Sequence, residues 1–179
     1  MDLFGPIDPP SQGGRKYAMA VVDDYSKYTW VVFLSKKKHT QSRLPELLMR
    51  LQNEKSTTII KIRSDRGTEF TNHVITEFCA KHGIQHEYSA ARTPQQNGVA
   101  ERRNMTLKEA CRTMLDESML PERFWAEATN TACYTQNRSM VNKRHEMTPY
   151  EVWKERKPYV AYFHIFVQGA TYTTMGKLT

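Results

Sequence analysis

The chain predicts an α/β fold, on three observations. Short runs rich in β-branched and aromatic residues alternate with stretches of helical apolar spacing, the first two runs are close enough to form a hairpin, and 179 residues suffice for one domain with a sizeable core. Residues 5–16, rich in Gly, Pro, Ser and Gln, read as a loop. Tyr17 to Val22 and Tyr28 to Leu34 are strand-like and flank Asp-Asp-Tyr-Ser-Lys, a hairpin signal. Between His39 and Glu54, Leu44, Leu47, Leu48 and Leu51 share one helical face. Pro45 lies inside that pattern, so the helix is expected to begin near it, where a first-turn proline is tolerated. Thr58 to Ser64 reads as a buried strand, Asn72 to His82 as a helix closed by Gly83, and Ile84 to Tyr88 as a short strand. After a loop through Gly98, a helix is predicted from about Val99 to Met119, with Leu107, Ala110, Cys111, Met114 and Leu115 as its core stripe. Pro121 opens a helix reaching about Arg138, and Thr148 to Lys154 form a last short one. There is no repeat or low-complexity segment; residues 1–140 read as one unit and 141–179 as a C-terminal extension.

The formal charge is +7 with a pI near 9.3, a balance that favours polyanionic partners because each neutralised phosphate releases counterions. Cys79, Cys111 and Cys133 are widely spaced, odd in number and without a Cys-x-x-Cys pair, which argues against a disulfide framework or a zinc knuckle and for small buried side chains in a reducing compartment. The six histidines (His39, His73, His82, His86, His145 and His164) show no zinc-ligand spacing and are expected at helix ends and in loops. No apolar run approaches the ~20 residues of a membrane span and no secretory leader opens the chain. The glycosylation spellings at Asn104 and Asn137 are read as chance matches.

Two carboxylates stand in contexts suited to phosphodiester chemistry. Asp65 follows a β-branched run and precedes Arg-Gly, and Glu101, 35 intervening residues later, falls in the first turn of a predicted helix. A strand-end carboxylate and a first-turn carboxylate can jointly hold Mg²⁺, a hard cation that takes a few carboxylate oxygens, waters and phosphate oxygens. On a helix of 100° per residue, Glu101 clusters with Asn104, Met105, Lys108 and Arg112 beside the apolar stripe, so it can face a cleft at the sheet edge. The bland alternatives are an Asx turn for Asp65 over Arg66-Gly67 and, for Glu101, a dipole-favoured surface residue paired with Lys108 or Arg102.

Five motifs in order sharpen this: Asp2-Leu-Phe-Gly-Pro, Val-Asp-Asp-Tyr-Ser-Lys-Tyr-Thr-Trp, Ser-Asp65-Arg-Gly-Thr-Glu-Phe, Thr-Pro-Gln-Gln-Asn-Gly-Val-Ala-Glu101-Arg and Thr148-Pro-Tyr-Glu-Val-Trp. With them the chain resembles the integrase catalytic core of copia-type LTR retrotransposons, related to retroviral integrases and DDE transposases. The resemblance implies a ribonuclease H-like fold, a five-stranded mixed sheet flanked by helices, with 1–140 as the catalytic core. It implies Asp2, Asp65 and Glu101 as catalytic, metal-holding residues, Mg²⁺ or Mn²⁺ as cofactor in two sites, and DNA as partner, both retrotransposon cDNA ends and target. It also implies a homo-oligomer without a membrane, in the nucleus or a cytoplasmic virus-like particle. Gln95, Gln96, Asn97, Arg102, Asn104 and Lys108 are carried over as DNA contacts, with Arg92 and Arg103 adding charge. Asp8, Asp23 and Asp24 read as structural. With only Met1 before Asp2, the first strand is expected to be short and frayed, a poor mount for a metal ligand. The tail after His164 departs from the family pattern. The competing readings are a catalytically impaired transposon-derived module that binds nucleic acid or oligomerises and, third, a structural domain without nucleic-acid function.

Overall fold

The alternation of Tyr17–Val22 decides the layout of the molecule. The computed structural model describes residues 1–89, 98–161, 163–164 and 166. Within it β2 (Tyr17–Val22) pairs antiparallel with β1 (Asp2–Phe4) and with β3 (Thr29–Leu34), in registers that set Asp2 opposite Ala20 and Tyr17 opposite Leu34. Side chains alternate across a strand, so Met19 and Val21 face one way and Ala18 and Ala20 the other. The first pair joins Leu34 in a core covered by α1 (Thr40–Lys55) and α2 (His73–Lys81), with Leu44, Leu48, Leu51, Phe70 and Ile75. The small alanines let α3 (Gly98–Glu117) and α4 (Trp125–Ser139) close over the opposite face, where Leu107, Cys111, Trp125 and Ala132 are buried. Helices thus cover both faces of a sheet, as the α/β reading expects.

The remaining strands, β4 (Lys61–Ser64) and β5 (Gln85–Tyr88), form a parallel pair. Among the described residues five strands are therefore present, but as a three-stranded and a two-stranded sheet. The two sheets meet where the Met1 amine donates to the Arg63 carbonyl at 2.7 Å.

Three local expectations change. The first long helix begins at Thr40, with Pro45 inside it. Proline there forfeits one backbone bond, but Thr40, Leu44, Leu47, Leu48 and Leu51 are all buried on that face and their packing outweighs the loss. The strand expected from Thr58 is only Lys61–Ser64 and is buried on one side alone; Ile60 is 75% exposed. Its open side carries Lys61 and Arg63, both paired with Glu87 of β5. The helix expected from Pro121 starts as a 3-10 turn, Glu122–Phe124, before α4. The cysteines are free and buried, as read, and burial pushes the Cys133 thiol up to about 11. Among the described residues no helix is long and apolar enough to cross a membrane. The last helix, α5 (Pro149–Lys154), opens with a Thr148–Glu151 capping box and sets Trp153 edge-on against Trp30, ring centres 4.7 Å apart.

Asn137 of α4 holds the hairpin in place. Its Oδ1 accepts from Thr29 N at 2.9 Å and its Nδ2 donates to Thr29 O at 2.8 Å, all buried. This engagement also leaves its amide inaccessible to a glycosyl group. Asn137→Ala strands the buried Thr29 N–H and leaves Thr29 O only the weak Cys133 Sγ donor at 3.2 Å, and is expected to cost about 2 kcal/mol; a urea denaturation midpoint equal to that of the parent would contradict the clamp.

Candidate active site at the junction of the first and fourth strands

The bond from Met1 N to Arg63 O brings the start of β1 to the end of β4, next to Asp2 on one chain segment and just before Asp65 on the other. Asp2 does not fray: it is paired with Ala20, half-buried and hydrogen-bonded. Its Oδ2 accepts from Asn104 Nδ2 at 2.7 Å and its Oδ1 from Leu3 N at 2.9 Å. Burial pushes the Asp2 carboxyl above the usual range; the Asn104 bond opposes this and the charge of Asp65 adds to it. The Met1 amine is pulled down to about 6 by its own burial, against the pull of Asp2 and Asp65.

Asp65 is fixed differently. Its Oδ1 accepts from Gly67 N at 3.0 Å, the Asx turn read from the sequence, and its carbonyl accepts from Ser64 Oγ at 2.7 Å. Phe70, fully buried, anchors the far end of that turn, with its amide on the Gly67 carbonyl at 2.9 Å. Glu101 is exposed in the first turn of α3. It lies three residues before Asn104, hence on a neighbouring position of the same helix side, and Asn104 touches Asp2. The geometry thus brings Asp2 near enough to Asp65 to feel its charge, with Glu101 one helical step from Asn104, which holds Asp2. Among the described residues no three His, Cys, Asp or Glu side chains converge as a metal-holding group. The two residues suit a hard divalent cation: their donors are carboxylate oxygens, the charge of Asp65 adds to the cost of ionising Asp2, and Asn104 Oδ1 beside Asp2 is buried without a partner among the described residues.

Other expected residues sort by exposure. Asn104 is 2% exposed and committed to Asp2, so it faces the carboxylate and not solvent. Lys108 is exposed, with Nζ 4.9 Å over the Phe4 ring, and Arg102 is exposed. Arg103 turns inward, its guanidinium donating to Lys27 O and Gln136 Oε1, so it braces the hairpin against α4 and adds nothing to a phosphate path. Gln95, Gln96, Asn97 and Arg92 lie outside the described residues. Asp23 holds Ser26 through its backbone and hydroxyl, and Asp24 pairs with Lys27, both structural as read. His86 departs from the expectation for histidines: it is in β5, hydrogen-bonded to the buried Ser64. Sequence reasoning missed Asn104 as the holder of Asp2, and missed Ser64 and His86; a serine at an inward strand position beside Ile62 was the available signal.

The chain also matches known proteins. Integrase core domain families match residues 1–94 and 82–139. The Retrovirus-related Pol polyprotein from transposon TNT 1-94 of Nicotiana tabacum is 39% identical over 168 residues, 94% of this chain. The Ty1-NL2 Gag-Pol polyprotein of Saccharomyces cerevisiae is 30% identical over 138 residues, 76% of this chain. The chain spans only 12% and 8% of those two polyproteins. Among solved structures, the simian T-cell lymphotropic virus intasome bound to a PP2A regulatory subunit aligns with a TM-score of 0.64 at 19% identity, over 98% of this chain and 60% of that one. The HTLV-2 integrase catalytic core domain in complex with magnesium, in its trimeric form, aligns with a TM-score of 0.59 at 21% identity, over 84% and 94%. These likenesses show the ribonuclease H-like integrase fold, and the sequence relatives are retrotransposon polyproteins. The chain belongs to the integrase core domain family, whose business is DNA integration.

Proposed function

We propose that this chain is a metal-dependent polynucleotidyl transferase that trims DNA 3′ ends and joins them to target DNA, with Asp2, Asp65 and Glu101 holding Mg²⁺ or Mn²⁺ in two sites. The observation that supports the reading is the nearness of Asp2 to Asp65 where β1 meets the end of β4, with Asn104 tying Asp2 to the helix of Glu101. Bound ions would supply the charge for activating a water or 3′-hydroxyl and for stabilising the leaving oxygen of an in-line displacement, and Asp2, Asp65 and Glu101 would be the residues that hold them. The protein's part is to hold the donors still. Asn104 orients Asp2, Gly67 N–H orients Asp65, and the first turn of α3 presents Glu101. No covalent bond to the protein is needed. The basic balance of the chain, with Lys108 and Arg102 exposed on α3 and Gln95, Gln96 and Asn97 leading into it, supports DNA ends and target DNA as partners. That an HTLV-2 core has been solved in dimeric and trimeric forms with magnesium supports a homo-oligomer and this metal.

The test is titration of Mg²⁺ or Mn²⁺ into the purified chain with an end-labelled DNA duplex. Ion-dependent shortening or joining of the labelled strand is expected. The exposed position of Glu101 favours the second reading, an impaired module that binds DNA or oligomerises; a gel shift without any ion-dependent product would select it. For the phosphate path, Lys108→Ala should weaken binding of unrelated duplexes alike and flatten the logarithmic salt dependence by about one unit of slope. An unaltered slope would return Lys108 to a role over Phe4 alone.

A further inference from the structure

One residue before Asp65, at the end of β4, two further polar side chains meet. Ser64, the last residue of β4, is 0% exposed. His86 reaches it across the parallel pair, in a register that sets Ile62 beside His86 and Ser64 beside Tyr88. A buried hydroxyl beside a half-buried imidazole persists in such a place only when its hydrogen bonds are made.

Those bonds run one way. Ser64 Oγ donates its single proton to the Asp65 carbonyl at 2.7 Å. It is left to accept from His86 Nε2, 2.9 Å away, which puts the ring proton on Nε2 and makes a chain from imidazole to hydroxyl to carbonyl. His86 Nδ1 is buried without a partner, which disfavours a second ring proton. Burial foremost, then the Met1 amine, holds the imidazole below its ordinary range, in keeping with the neutral form. The Ser64 carbonyl accepts from Ser89 N at 2.9 Å, so the same residue also ties down the chain leaving β5.

We infer that Ser64 and His86 are positioning residues for Asp65. Their relay fixes the Asp65 peptide plane while Gly67 N–H fixes its side chain, so the carboxylate is presented in one orientation. The inference rests on reading Asp65 as a metal ligand, for which small losses of orientation are costly.

Ser64→Ala, His86→Leu and His86→Gln are compared with Asn137→Ala, which lowers stability away from Asp65. Hydrogen exchange of the Gly67 amide, followed by NMR, reports whether the Asp65 carboxylate keeps its bond. Ser64→Ala and His86→Leu are expected to speed that exchange and to raise the Mg²⁺ concentration for half-maximal DNA cleavage about 10- to 100-fold, the range for removing a group that orients a metal ligand. DNA affinity should stay level. His86→Gln, whose amide can donate to Ser64, should recover most of both losses, and Asn137→Ala should show neither beyond its loss of stability. The inference is overturned if Gly67 exchange in Ser64→Ala and His86→Leu follows stability just as in Asn137→Ala, or if His86→Gln is as impaired as His86→Leu. Should the parent chain cut no DNA, the proposed activity falls, and Gly67 exchange alone still decides the relay.

Discussion

Asp65→Asn and Glu101→Gln are each expected to abolish ion-dependent cutting, by about 100-fold or more, while DNA binding holds or tightens. Removing groups that merely orient a metal ligand costs about 10- to 100-fold, so removal of a ligand's own charge should exceed that range. Asparagine at 65 can still accept from Gly67 N–H, so the Asx turn that now holds Asp65 at 3.0 Å should survive and the fold with it. Glutamine at 101 stays on an exposed helix position, where substitution disturbs no core. Binding should not weaken, because losing a negative charge beside a phosphate path lowers repulsion. Cleavage assays with a labelled duplex and parallel gel shifts separate the two effects. If both variants cut as fast as the parent, the activity belongs to other residues.

The largest expected loss of stability follows Phe70→Ala. Phe70 is fully buried in the core beneath α1 and α2, and it ends the turn that begins at Asp65. Truncating a buried phenyl ring costs about 3–5 kcal/mol through lost burial and the cavity left behind. Domains of this kind carry about 5–15 kcal/mol in all, so the variant should lie near the limit of folding at 37 °C. Urea denaturation followed by tryptophan fluorescence measures it. The Gly67 carbonyl takes the Phe70 amide at 2.9 Å, so any folded fraction should also hold Asp65 less well. A loss below about 1 kcal/mol would mean that the site collapses around the gap, contrary to a close-packed core.

Much was legible along the chain because the signals were local. The hairpin at Asp23 to Lys27, the leucine face of α1, the Asx turn at Asp65 and the short helix after Thr148 each depend on residues within a few positions of one another. Pro45 misled because its cost is local while the reward for keeping it in the helix, burial of Leu44, Leu47, Leu48 and Leu51, is paid by the sheet beneath. The bond of Asn104 to Asp2 was out of reach for a similar reason. Its helix side was read correctly, but nothing near it in sequence says that Asp2, 102 residues away, waits on that side.

By itself, the sequence determined the alternation of strands and helices, the five motifs and the identity of the carboxylates. Tertiary structure alone decided that Asp2 comes within reach of the charge of Asp65, that Arg103 turns inward, and that His86 meets Ser64 at the strand end. The physical reason is range. Propensity, capping and turn chemistry act over three or four residues, whereas strand register and buried hydrogen bonds join groups far apart in sequence and are set only when the sheet closes.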